Sequence, residues 1–240
     1  MIEIKTDNLV IGSGPGGSLA SYYLTKNKFK TILIEEGPNT SSKPDLIDNN
    51  IETISSNLKK QWRNGGAQFA LGPNPISFSE ACCLGGGSEI NSGIYQEMDL
   101  TFAKKWQDKF EIDDFNSEKF KNYYSEIKKL INLEYETNNS GFPTELIKKI
   151  SKKQKWSYKE LPRISNQNPL YPNDSQKLLR DSMNTNLINK SLKNDLKVLT
   201  GIKITRLEIN KNEIISAYGI SNQSGNKIKY RFFAKNYFIS

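Results

Sequence analysis

The chain has 240 residues, 36% of them hydrophobic and 25% charged, which excludes a disordered polypeptide and fits one large domain or one and a half ordinary ones. Lys and Arg outnumber Asp and Glu by 34 to 26, a formal charge of +8, but residues 1–100 carry 8 basic against 11 acidic side chains and residues 101–240 carry 26 against 15. Only five of the basic residues are Arg, whereas phosphate-reading surfaces favour arginine forks, so the basic second part reads as a solvated face and not as a nucleic-acid surface.

In chain order, Glu3, Lys5 and Asp7 stand where a signal peptide would build its apolar run, and no stretch approaches the length of a membrane span; the chain reads as soluble and cytoplasmic. Asn8 to Ile11 is a short apolar run that ends in glycines, and Leu19, Tyr22, Tyr23 and Leu24 then fall at helical spacing. Thr31 to Ile34 is β-branched and apolar, closed by Glu35, Glu36, Gly37 and Pro38, so the first 38 residues predict a βαβ unit. Continuous apolar strands mark the interior of a parallel sheet with both faces covered, which sets the fold class as α/β.

Residues 39–80 are polar and irregular, with a loop over 39–43, a possible helix over 46–60 and Gly/Pro/Asn-rich segments over 64–75. They read as an excursion over a site. A second glycine cluster follows, from Cys82 to Gly93. From Phe102 to Ile150 the pattern is helical, with Tyr123, Ile127, Leu130 and Ile131 as one apolar stripe. Strands return at Lys197–Leu199, Ile202–Ile209, Ile214–Ile220, Ile228–Phe233 and Tyr237–Ile239, with a turn at Ser224-Gly225-Asn226. They predict a β-meander whose final run rejoins the sheet.

Gly12-Ser13-Gly14-Pro15-Gly16-Gly17 matches the G-x-G-x-x-G dinucleotide fingerprint. Gly12 permits the tight turn out of the strand, Gly14 lets a pyrophosphate approach the backbone, and Gly17 lets the helix pack closely. The phosphates would then lie at a helix N-terminus, against free N–H groups and the positive end of the dipole. Glu35, eighteen positions after Gly17, closes the second strand, where a carboxylate accepts bonds from ribose hydroxyls and repels a 2′-phosphate. Glu36 is the competing acid, and strand alternation favours Glu35. Cys82 and Cys83 are neighbours, too close for an ordinary bridge and without zinc-site spacing; they read as core thiols. The chain has no His, which excludes any His triad, His metal site or His acid/base within these residues.

The segments Asp7 to Gly17, Thr31 to Gly37 and Leu84 to Asn91 occur in the order seen in the glucose-methanol-choline (GMC) family, and the chain resembles the FAD-binding half of those flavin-dependent alcohol oxidases and dehydrogenases. The resemblance implies a Rossmann-like FAD-binding domain with a parallel sheet, a β-meander and a helical insertion forming an incomplete substrate or cap domain. Its parts would be residues 1–100, 101–190 and 191–240, with the sheet drawn from 1–38, 80–100 and 191–240. It implies FAD as cofactor, with contacts from Gly12, Ser13, Gly14, Pro15, Gly16, Gly17 and Glu35. It adds flavin or pyrophosphate contacts from Gly86, Gly87, Ser88 and Asn91, and an adenine contact from the backbone at Ile204.

The family's base, which takes the hydroxyl proton as hydride leaves an alcohol, is a histidine in the C-terminal part, so no catalytic residue is assigned here. The resemblance covers about the first half of a usual member, and the expectation is an N-terminal part, truncated or split, inactive alone, with a separate chain as a candidate source of the remainder. An NAD(P)H-linked flavoprotein would want a second G-x-G-x-x-G unit, which is lacking; a non-catalytic nucleotide-binding module is the other alternative. Trp106, Tyr123, Tyr124 and Trp156 lie among the lysines of the second part, and their helical spacing predicts core packing and not base stacking.

Overall fold

The computed structural model describes residues 1–40, 56, 59–112, 118–135, 141–166, 179–223 and 226–240. The predicted loop beyond Thr40, most of the predicted helix over 46–60 and the first two residues of the 224–226 turn lie outside them. The chain divides into two compact units, Met1–Asn91 with Ser182–Ser240, and Ser92–Asp181. The first begins with β1 (Ile2–Lys5), β2 (Asn8–Ile11), α1 (Pro15–Lys26), β3 (Thr31–Ile34), β4 (Gln68–Ala70) and β5 (Ile76–Phe78). The second holds α2 (Leu100–Phe110), α3 (Glu118–Leu130), β6 (Leu133–Glu134), α4 (Phe142–Gln154), β7 (Arg163–Asn166) and β8 (Leu179–Arg180). The first then resumes with α5 (Asn189–Leu192), β9 (Lys197–Leu199), β10 (Lys203–Asn210), β11 (Glu213–Gln223), β12 (Asn226–Phe233) and β13 (Asn236–Ile239).

The first unit is built on a parallel sheet of order β13-β2-β3-β9, with Leu9 opposite Ile32 and Val10 opposite Leu33. Strand alternation then sorts the apolar residues to two sides. Leu9, Ile32 and Ile34 pack with Ile202, Ala217 and Phe232, whereas Val10 and Leu33 pack with Leu84, Ile188 and Leu196. Covering on both sides is why these strands read as unbroken apolar runs. A second sheet, of order β1-β12-β11-β10, supplies Ala217 and Phe232. Its β10–β11 hairpin turns through Lys211 and Asn212, both at positive φ as a two-residue type I′ turn requires.

The predicted meander is present as β10–β12, and β13 returns parallel to β2 as expected. Three details differ. Lys197–Leu199 joins the parallel sheet beside β3 instead of the meander. Ile2–Lys5 forms a strand parallel to β12 that the charges at Glu3 and Lys5 had masked, although alternation with Ile2 and Ile4 was its signal. Residues 80–100 give the parallel sheet no strand; they form a bridge from Ala81 to Trp62, a helical turn at Gly86–Glu89 and a bridge from Ile94 to Arg163.

In the second unit, the Asp99 carboxylate accepts from Thr101 N–H (2.8 Å) to cap α2, and a small sheet runs β6-β7-β8. The apolar stripe predicted for α3 holds at Ile127 and Leu130, which are half-buried, and at Ile131 just beyond the helix, which is buried; it fails only at Tyr123. Tyr123 is exposed, while Tyr124 packs edge-on against Phe120 and accepts from Met98 N–H (3.3 Å). Trp106 and Trp156 are also exposed, which corrects the expectation of core packing for three of the four aromatics; helical spacing marked a face, and among the described residues that face stays exposed.

Candidate dinucleotide site

Gly12 leaves β2 at φ +94, and its N–H donates to Ile34 O (2.8 Å), so the turn is tied to the end of β3. A Cβ on Gly17 would stand 2.0 Å from Gly12 O, the close helix-to-turn packing that the third fingerprint glycine exists to permit. Pro15 opens α1, a position that needs no N–H. Gly17 N–H donates to Ser240 Oγ (2.8 Å) and Ser18 N–H to Gly14 O (2.9 Å). A Cβ built on Gly14 meets nothing within 4 Å, so the space the fingerprint reserves for a pyrophosphate is open at that position.

Ser13 joins the two glycine clusters. It is fully buried; its hydroxyl donates to Glu35 Oε2 (2.5 Å) and accepts from Gly85 N–H (2.9 Å), and its own N–H also donates to Glu35 Oε2 (3.1 Å). Glu35 Oε1 accepts from Gly37 N–H (2.8 Å). Glu35 is therefore 8% exposed and fixed by three donors, two of them on Oε2, and a carboxylate so held keeps a lone pair for one further donor, at Oε1. The second cluster lies against the first: a Cβ on Gly86 would stand 2.8 Å from Gly14 Cα, while one on Gly87 meets nothing within 4 Å.

The predicted residues do not all present side chains to this space. The Ser88 hydroxyl donates to Gly85 O (2.7 Å) and accepts from Met183 N–H (2.9 Å), which shapes the loop from within. Asn91 is exposed and, with Gly87, Ile90, Trp62, Arg63 and Glu80, lines a cavity of about 580 Å³. That volume falls in the range of small-ligand and cofactor pockets. Ile204 lies on β10, an edge strand of its sheet, opposite Gly219 and just before a bulge, so among the described residues no strand pairs with the outer edge of β10. Cys82 and Cys83 are free; burial pushes the Cys83 thiol up to about 12, as befits a core thiol.

Glu36, the competing acid, has a different employment. Arg63 grips it with a fork, Nη1 to Oε1 at 2.9 Å and Nη2 to Oε2 at 3.1 Å, and Lys203 Nζ donates to Oε1 at 3.1 Å. The Arg63 bonds hold the Glu36 carboxyl below the usual range. Sequence reasoning missed Arg63 and Trp62. The available signal was that Arg63 is one of five arginines in a chain with 29 lysines. No cluster able to hold a metal ion occurs among the described residues.

Fold and site together define an α/β chain of Rossmann-like FAD-binding class. Residues 10–240 match the family model described as "GMC oxidoreductase", and the chain belongs to that family, that of an oxidoreductase. It is 27% identical over 220 residues to a Sinorhizobium fredii protein described as an uncharacterized GMC-type oxidoreductase, covering 88% of this chain and 41% of that protein. It is 25% identical over 164 residues to a long-chain-alcohol oxidase of Arabidopsis thaliana, covering 68% and 22%. In fold it is similar to the crystal structure of pyridoxine 4-oxidase from Mesorbium loti, at a TM-score of 0.73 and 13% identity, covering 98% of this chain and 49% of that one. The chain thus spans less than half the length of these proteins. No helix among the described residues is long and apolar enough to cross a membrane.

Proposed function

We propose that this chain binds FAD and forms the cofactor-holding part of an oxidoreductase that oxidises a CH–OH group of an alcohol. The reading is carried by one observation: Ser13 and Glu35 lock two glycine loops together while Gly14 and Gly87 leave open space beside them. In this reading the diphosphate lies along Gly12–Gly17 at the start of α1, where the first-turn N–H groups stabilise its charge. Glu35 receives the ribose hydroxyls, the outer edge of β10 at Ile204 meets the adenine, and the cavity beside Gly87 and Asn91 receives the ring system. Bound FAD supplies a hydride acceptor. The chain's own residues bind it, orient it and exclude water from its phosphates.

The long-chain-alcohol oxidase and pyridoxine 4-oxidase among the similar proteins support an alcohol as the substrate class. The base that takes the hydroxyl proton comes, in this reading, from outside these 240 residues, which hold no His. That segment either lies farther along a longer polypeptide or belongs to a separate chain. The same lack of His favours a second reading, a nucleotide-binding module without turnover. Reconstitution of the purified chain with FAD and with NAD separates the outcomes. Stoichiometric flavin absorbance that survives gel filtration is expected, and retention of NAD in its place defeats the proposal. Alcohol turnover by the 240 residues alone would eliminate the non-catalytic reading.

A further inference from the structure

We infer that Arg63 is a positioning residue for the cofactor: through its fork to Glu36 it holds one wall of the cavity in register with the dinucleotide cradle. The inference rests on the FAD reading above. Glu36 directly follows Glu35, the acid fixed to Ser13 of the fingerprint turn, so a group bound to Glu36 is tied to the cradle through one peptide unit. Arg63 lines the cavity and uses all three of its nitrogens. The fork takes Glu36, and Nε donates to Glu80 Oε2 (2.8 Å) on the opposite strand of the same wall.

The backbone repeats that link. Arg63 N–H donates to Glu80 O (2.9 Å), Cys82 N–H to Gln61 O (2.8 Å), and Trp62 bridges Ala81. Residues 61–63 and 80–82 therefore form one antiparallel piece, which carries the uncharged β4–β5 hairpin at its far end. Between this piece and the end of β3, Arg63 supplies a forked side-chain tie. Lys203 from β10 reaches the same Glu36 oxygen, so the tie gathers β3, β10 and the cavity wall. A planar fork fixes direction as well as distance, which a Lys at position 63 cannot do. A dinucleotide bound at its phosphates by one loop and at its ring by another is retained only while the two loops keep their spacing.

The test is the rate at which bound FAD leaves, read as recovery of flavin fluorescence after dilution, alongside visible circular dichroism of the bound flavin. Arg63→Met is expected to speed release about tenfold, since the three charge-assisted bonds are partly exposed and each is worth only a fraction of a buried one. Its flavin dichroism is expected to weaken. Arg63→Lys should recover less than half of that change on a logarithmic scale. Glu36→Gln should speed release similarly, and the double variant should be no faster than Arg63→Met alone, because both changes cut one tie. Lys148→Met, which removes an ion pair with Glu145 on α4, serves as the control and should leave release unchanged. Release from Arg63→Met within twofold of the parent overturns the inference, as do full rescue by Lys or additive effects in the double variant. A parent chain that retains no flavin overturns instead the reading on which the inference rests.

Discussion

The two units of this chain are built to different standards. Among the described residues, fourteen apolar side chains are buried in the first, including Leu9, Leu33 and Phe232, and two in the second, Ala103 and Ile131. The second unit instead exposes Phe102, Trp106 and Phe110 at four-residue intervals along α2, and Phe142, Leu146 and Ile150 at the same intervals along α4. Both helices are amphipathic, yet among the described residues it is the first unit that folds its apolar residues against a second layer. A helix face acquires stability from what covers it and not from its pattern. The packing of the first unit accordingly does not extend to the described residues of its neighbour in the sequence.

The largest expected effect tests this difference directly. Phe232→Ala empties a site packed between two sheets and should cost about 3–5 kcal/mol in urea unfolding, while Phe142→Ala should cost less than about 0.5 kcal/mol. Equal losses would show that the second unit has a core of its own. Next come two glycines of the fingerprint. Gly17→Ala drives a Cβ into Gly12 O and should destabilise the chain by about 2 kcal/mol or more. Gly14→Ala has room and an ordinary φ of −61°, so it should change stability by less than about 0.5 kcal/mol. On the proposed FAD reading it should nevertheless weaken FAD about a hundredfold in a titration, because the methyl would occupy the space proposed for the phosphates. Unchanged affinity in Gly14→Ala would place the diphosphate elsewhere.

Thiol labelling sharpens the comparison inside the first unit. Burial raises the Cys83 thiol to about 12, so iodoacetamide at neutral pH should modify it at least about a hundredfold more slowly than in the urea-unfolded chain. The raised value also means that its contribution is present below the ordinary value of 9.0 and is lost as pH rises toward 12. The smallest effect belongs to Glu36. Its carboxyl is held below the ordinary value of 4.5, so its stabilising contribution is present above that value and fades as pH falls through the lower, folded-state one. The unfolding midpoints of the parent and Glu36→Gln should differ by an amount worth less than about 1 kcal/mol, constant from neutral pH to about 5 and shrinking below. A gap that widens in acid would reverse the assignment.

The fingerprint turn, the acid that follows it and the two flanking strands were legible because each rests on local chemistry: glycines where side chains would collide, and apolar runs where both sheet faces are covered. The β10–β12 meander was legible for a similar reason, in its apolar and β-branched runs. Residues acting through distant partners were not. Strand alternation favours Glu35 over Glu36, but the role Glu36 takes instead is set by Arg63, 27 positions away, closing its fork on it. Ser88 suits a ligand by its chemistry, yet its hydroxyl is taken up by Gly85 and by Met183, 95 positions away. Tyr123 and Tyr124 are adjacent and equally aromatic, and stand four and three residues before Ile127 on the predicted stripe; the helix packs Tyr124 against Phe120 and leaves Tyr123 exposed.

The pairing of β13 with β2 places Asn236 beside Asn8, 228 positions apart. On a ribosome adding about 5–20 residues per second, β2 would wait roughly ten to fifty seconds for this neighbour. Through that interval one margin of β2 stays unpaired, with an apolar strand behind it. Such a nascent chain is a natural client for a chaperone, and sheet closure comes well after the glycine turn has been made.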